Sequence, residues 1–397
     1  MAIVNSIYHN LRGDRAIWFI VAVLAVFSIL AVYSASGSMA FKHHDGNTSY
    51  YLVRQILFIA AGLGLMYVCY LLHYMQYARF APILLIIAVP LLLFTVGFGT
   101  EFNSARRWIT VPFINQTFQT SDFAKLALII FIAKSLSVKQ EFIKDFNSAF
   151  IPLIIPIVLV CGLIALPDAS TAILLFTTCL LMMFVGRVSL KYIALLVIIG
   201  IAVASFIIII GKFYPDLGRV TTWIARIEAY INPSADPDAM VQVIQSKIAI
   251  ANGGWFGAGP GGSMQKDFLP SAYADFIYAV ICEEYGLVGA FVILALYVWL
   301  LFRCISIVTK CPKAFGAILA MGLCLNLVIH AMANMAVSVH LVPVTGLTLP
   351  LVSMGGTSVL FTCVSLGVIL SVSKYVEEAR LQQIELEQIE VRDANSI

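Results

Sequence analysis

Ten apolar runs dominate this chain, at about residues 17–35, 51–72, 81–98, 122–137, 149–167, 169–186, 190–211, 274–302, 313–336 and 344–373. A helix needs roughly 20 mostly apolar residues to cross a bilayer, and most of the runs reach that length. Of 397 residues, 61% are apolar and 11% charged. Soluble domains carry about 25% charged residues, so composition excludes a soluble fold. The expected architecture is an all-α polytopic membrane protein of about ten transmembrane helices. A long polar loop, residues 213–273, separates the seventh and eighth runs. The domain reading is one transmembrane unit over 1–376 and a tail over 377–397. The polar N-terminus and a long first run lacking a small-residue cleavage site argue against a cleaved signal peptide.

Orientation follows from Lys and Arg, which favour the cytoplasmic side. With ten spans both termini share a side, and that side holds most of the bases, among them Arg12, Arg15, Lys139, Lys144, Lys310, Lys313 and Lys374. Both termini are therefore expected in the cytoplasm, and the long loop outside. The Glu-rich tail after Lys374 is expected to continue the last helix for a few turns and then fray; a docking site for a cytoplasmic partner is the alternative. The eight cysteines form no CxxC pair and the six histidines no HxxxH spacing. Neither a disulfide framework nor a Cys or His metal site is supported. No GxxxxGK[ST] nucleotide loop is present.

Polar groups in or beside a membrane span are costly unless paired or hydrated. Four such clusters fall on the predicted outer side. The first holds Arg106 and Arg107, then Lys125 one turn inside the fourth span. Guanidinium forks suit phosphate oxygens; the plainer reading is snorkelling of these bases to lipid head groups. The second is Pro167-Asp168-Ala-Ser-Thr171, where Asp168 either caps the sixth helix or meets substrate. The third is the glycine-rich stretch from Gln245, Ser246 and Lys247 to Gly262, which leads to Asp275. Its glycines would let backbone amides approach a ligand closely, and Asp275 is either a first-turn dipole partner or a functional carboxylate. Glu283 and Glu284 lie about two turns further on. The fourth runs from His340 to Ser358, where Pro343, Pro350 and Ser353 interrupt an apolar run. Broken backbone at this depth is tolerated where it is buried or lines a wet cavity, to which Asn334 is also expected to point. Cations beside a carboxylate suit an anionic, lipid-borne substrate with hydroxyl chemistry: the carboxylate takes a proton, and the cations offset charge on a departing pyrophosphate.

Six ordered motifs carry a resemblance. They are SARRWI at 104–109, QTSDFAKLA at 119–127, PDxxT at 167–171, QSxIAIxxGG at 245–254, FLP…DFIYA…EEYG at 268–286, and PVTGLxLPxxSxGGTS at 343–358. Together they resemble the SEDS family (shape, elongation, division and sporulation) of peptidoglycan glycosyltransferases, over roughly residues 15–375. The run Gly257 to Lys266 is most similar to the division-type members. The resemblance implies ten transmembrane helices and polymerisation of lipid II, the undecaprenyl-pyrophosphate-linked disaccharide pentapeptide. It implies Asp275 as catalytic base, and substrate-binding roles for Arg106, Arg107 and Lys125; Asp168, Gln245, Lys247 and Ser353 join them as candidates. Implied partners are a class B penicillin-binding protein transpeptidase and other division proteins, with no nucleic acid. A divalent cation (Mg or Mn) is compatible with a pyrophosphate leaving group, but the sequence offers no dedicated cage. Where the family has HTDF and LPE, this chain has Tyr273-Ala-Asp-Phe276 and Leu269-Pro-Ser271, which removes a second carboxylate from the loop. A lipid II flippase, or a non-catalytic division scaffold, is the alternative function; crowding of the polar residues at one face favours the enzyme.

Overall fold

The computed structural model describes residues 12–37, 39, 48–102, 105–111, 116–213, 220–232 and 237–394. Each apolar run contains one helix: α1 Arg15–Ala35, α2 Thr48–Leu71, α3 Met75–Phe98, α4 Thr120–Val138, α5 Ile151–Ala165, α6 Ala169–Val185 and α7 Leu190–Phe213. Two helices, α8 Val220–Ile231 and α9 Pro237–Gly253, belong to the long connection. The apolar series resumes with α10 Ile277–Lys310, α11 Ala314–Ser338 and α12 Thr357–Ala394. Six of these, α1, α2, α3, α10, α11 and α12, are long and apolar enough to cross a membrane. Shorter apolar helices are α5, α6 and the Leu190–Phe206 part of α7.

The core lies along α4, α11 and α12. Leu128, Ile129, Ile132 and Leu136 of α4 pack in one buried cluster with Leu319 and Leu323 of α11 and Leu366, Val368 and Ile369 of α12. The peripheral helices expose large apolar side chains such as Leu57, Ile86, Ile155 and Phe206, as expected of surfaces that meet lipid rather than water. The two ends of the bundle are marked by α1. At its start, Asp14 caps the helix through the Ala16 amide (2.9 Å) and pairs with Arg303 near the end of α10 (2.6 Å). At its other end, Ser34 donates to Glu284 and meets Lys266 Nζ (3.4 Å). The second end holds the site.

Four features depart from the sequence expectations. A three-stranded antiparallel sheet, β1 Thr100–Phe102, β2 Ala105–Val111 and β3 Gln116–Gln119, connects α3 to α4. The last apolar run turns helical only at Thr357 instead of 344, because Pro343 and Pro350 cannot donate to a helical ladder. The tail stays helical to Ala394, with Leu381, Ile384 and Ile389 exposed. Helix α10 is two helices joined at Gly286, whose φ and ψ are 66° and −166°. The Tyr278 hydroxyl reaches the Ala290 carbonyl across this break (3.3 Å). Twelve residues of straight helix would set the two about 18 Å apart, so the short first helix bends back over the second.

Candidate active site

The glycine-rich stretch fills the break in α10. Ala258 and Gly259 amides donate to the Glu283 and Glu284 carbonyls (2.9 and 3.0 Å), and Leu287 donates back to Gly254 (2.9 Å). These bonds satisfy backbone groups that the kink frees from the helical ladder. Gly257 and Gly286 face each other here, each at positive φ, and a Cβ on either would collide with the opposing backbone. Gly257 and Gly286 therefore let two backbones come together.

Downstream, the chain reaches Asp275 two residues before α10 begins. Its peptide groups are held one by one. The Tyr273 carbonyl accepts from the Met354 amide (3.0 Å), the Ala274 carbonyl from Ser353 Oγ (2.6 Å) and the Asp275 carbonyl from Asn334 Nδ2 (2.8 Å). Asn334 also binds the Leu347 carbonyl (2.6 Å), and Ser353 Oγ accepts from the Leu349 amide (2.7 Å). Thus α11 and the irregular 344–356 segment grip the backbone around Asp275 while leaving its side chain alone. The carboxylate has no hydrogen bond and no ion pair within 4 Å among the described residues. A Cβ on Gly346 would lie 3.6 Å from its Oδ2.

Charge is supplied from three other elements. On β2, Arg107 reaches α6, with Nη1 3.0 Å from Asp168 Oδ2 and Nε donating to the Pro167 carbonyl (3.1 Å). Asp168 in turn caps α6 through the Thr171 amide (3.3 Å) and hydroxyl (2.8 Å). Arg226, on the amphipathic helix α8, is coupled electrostatically to Asp275, Asp168 and Arg107. Burial, opposed by Arg107 and Arg226 and reinforced by Asp168, raises the Asp275 pKa to about 6. Burial and the neighbouring Arg107 lower that of Arg226.

The other predicted residues fall in different surroundings. Arg106 pairs with Glu101 in the β1–β2 register, and its side chain lies outside the described residues. Lys125 is buried and binds Asp122 (2.7 Å). The pair lines a separate cavity of about 30 Å³ with Asn326, His330, Ser358 and Thr362, room for about two waters. Lys247 is exposed and acts electrostatically on His340, while Gln245 beside it is half-buried. Ser246 anchors α9 to α11 through the Ser338 carbonyl (2.7 Å). Among the described residues no three His, Cys, Asp or Glu side chains converge as a metal-binding group, so no cation ligands are assigned. Sequence reasoning missed Arg226 as a site residue; its signal was an arginine in a short amphipathic segment, which is common at membrane surfaces.

The profile of the FtsW, RodA and SpoVE family, described as "Cell cycle protein", matches residues 14–378. The chain belongs to this family. It is a multi-pass membrane protein. Among curated relatives, "Probable peptidoglycan glycosyltransferase FtsW" of Trichlorobacter lovleyi is 35% identical over 93% of this chain and 95% of the relative. The Geobacter metallireducens protein of the same name is 37% identical over 91% and 95%. "Stage V sporulation protein E" of Bacillus subtilis is 35% identical over 91% and 96%. The fold matches a solved chain described under "Structural coordination of polymerization and crosslinking by a peptidoglycan synthase complex" (TM-score 0.69, 24% identity, 92% of this chain and 98% of that one). It also matches the rod shape determining protein RodA of Thermus thermophilus (TM-score 0.65, 24% identity, 92% and 98%).

Proposed function

We propose that this protein is a peptidoglycan glycosyltransferase that joins lipid II units into glycan strands during cell division. The observation that carries the reading is Asp275: a carboxylate held by its backbone, unbonded at its side chain among the described residues, and electrostatically coupled to two arginines. Ionised, it takes the proton of the acceptor sugar hydroxyl. The acceptor oxygen bonds to the anomeric carbon of the donor as the bond from that carbon to the pyrophosphate oxygen breaks, with inversion. Undecaprenyl pyrophosphate leaves with the negative charge, which Arg107 and Arg226 offset.

The remaining candidates take graded roles. Arg106 is a further candidate contact for the pyrophosphate. Asp168 orients Arg107. Ser353 holds the Ala274 carbonyl, so it positions the base. Lys125, paired with Asp122 in the separate cavity, is a further candidate contact, as are Gln245 and Lys247 on α9. A divalent cation (Mg or Mn) at the pyrophosphate is compatible with this scheme. The site faces the outside of the bacterial cytoplasmic membrane, with both termini in the cytoplasm. The relatives named FtsW support the division role. A class B penicillin-binding protein transpeptidase and other division proteins are the expected partners.

The test is to incubate the purified protein with lipid II in detergent, with and without such a transpeptidase. Glycan strands are expected from a polymerase there, where a flippase has no membrane across which to act. Lipid II left unpolymerised under both conditions, while the same protein moves it across vesicle membranes, would overturn the reading in favour of a flippase.

A further inference from the structure

Asp275 is fixed on one side by α11 and the 344–356 segment, but the chain that leads into it is irregular from Phe268 to Phe276. Its turns carry their own bonds, from the Leu269 amide to Gln265, Ala272 to Leu269 and Asp275 to Ser271, and bury Leu269, Ala272 and Phe276. Their upstream end, residues 263–265, is held by Glu283, which is 2% exposed and lies on the first part of α10. Its carboxylate accepts from the Ser263 hydroxyl, from the Met264 amide (3.2 Å) and from the Gln265 amide (3.2 Å). Ser263 is itself buried, and its Oγ also accepts from the Lys266 amide (3.2 Å). These bonds hold the turn that opens the short Gln265–Asp267 helix. The backbone of Glu283 adds a fourth contact, through its carbonyl and Ala258. The neighbouring Glu284 points elsewhere, to Ser34 of α1.

Glu283 therefore clasps the chain ahead of Asp275 from the helix that follows it. The segment from 263 to 283 becomes a closed ring, with Asp275 on its rim. A carboxylate suits this position because it accepts from several donors at once.

We propose that Glu283 is a positioning residue for glycosyl transfer: by clasping residues 263–265 it sets where the Asp275 carboxylate stands relative to the acceptor hydroxyl. The inference rests on the assignment of Asp275 as base. Glu283 touches no substrate; it acts through the backbone. Misplacing a reacting group by about 1 Å costs on the order of 10²-fold in rate, so loss of the clasp should lower turnover and leave lipid II binding largely intact.

The experiment compares purified Glu283→Ala, Glu283→Gln, Ser263→Ala and Asp275→Asn with the unchanged protein, reading lipid II polymerisation and amide hydrogen exchange. For Glu283→Ala, kcat should fall about ten- to a hundredfold with KM within about twofold. Exchange should quicken across 263–276 and stay unchanged in α1 and α11. Glu283→Gln keeps an acceptor oxygen and should regain part of the rate. Ser263→Ala removes one donor and should lose least, which keeps the test open if Glu283→Ala does not fold. Wild-type kcat in folded Glu283→Ala, or faster exchange throughout the bundle with KM raised as kcat falls, would overturn the inference. An active Asp275→Asn would sink the base assignment itself. An inactive Asp275→Asn beside a fully active Glu283→Ala would sink the clasp alone.

Discussion

Asp14 and Asp275 are carboxylates at opposite ends of the bundle, each just ahead of a helix and each with arginine nearby. Asp14 uses its oxygens on the Ala16 amide and on Arg303, at 2.9 and 2.6 Å. Asp275 has its carbonyl tied by Asn334 and its side chain left without a hydrogen bond among the described residues. The first arrangement satisfies a helix end and joins α1 to α10. The second holds a carboxylate near charge without neutralising it by contact, and burial lifts its pKa to about 6. Asp14 thus has its side-chain oxygens bonded, whereas Asp275 has a fixed backbone and a side chain without a hydrogen bond among the described residues, as the proposed base role requires.

Breaking the charge around Asp275 should have the larger effect. Arg107→Ala removes a cation and strands Asp168, whose side chain is 9% exposed beside it. Losing one donor to a developing oxyanion costs about 10²-fold or more, so polymerisation should fall by about that factor. Stability should also drop, by up to about 3 kcal/mol, as for other mostly buried pairs; lipid II assays and thermal unfolding check the two parts. Arg226→Ala has no bonded partner to strand among the described residues, so it should lower the rate about tenfold with little change in melting temperature.

The pH dependence sharpens the contrast next. A base with a pKa near 6 is ionised above that pH and protonated below it. Polymerisation measured as kcat/KM should therefore be level above about pH 7 and fall up to tenfold per unit below about pH 6. Asp14→Asn should do least to chemistry. It weakens a helix cap and a half-exposed ion pair, so about 1 kcal/mol of stability should go, seen as a lower melting temperature with kcat within about twofold.

Hydropathy placed helix in each of the ten apolar runs among the described residues, because crossing hydrocarbon demands long apolar runs. The sheet at 100–119 was hidden: its strands are short and β1 and β2 are separated only by Asn103 and Ser104. The break at Gly286 was hidden for the opposite reason, since the run from 274 to 302 reads as one unbroken span. Its trace is Glu283 and Glu284 followed by a glycine, two carboxylates that only a second chain segment could satisfy. Asp275 and Arg107 stood out through their motifs. Lys125 stood out too, but its binding to Asp122 shows how i,i+3 spacing can give a cation a partner within its own helix. Arg226 needed the tertiary structure, because nothing in Val220–Ile231 says which face meets the site.

The most direct test sets Asp275→Asn beside Asp14→Asn, both purified, folded and supplied with lipid II. The amide keeps the size of the side chain and removes its ability to take a proton. Asp275→Asn should lose about 10²- to 10⁴-fold in polymerisation with an unfolding temperature close to that of the unchanged protein, and Asp14→Asn should keep its rate. Glycan strands made by folded Asp275→Asn at the unchanged rate would contradict the account.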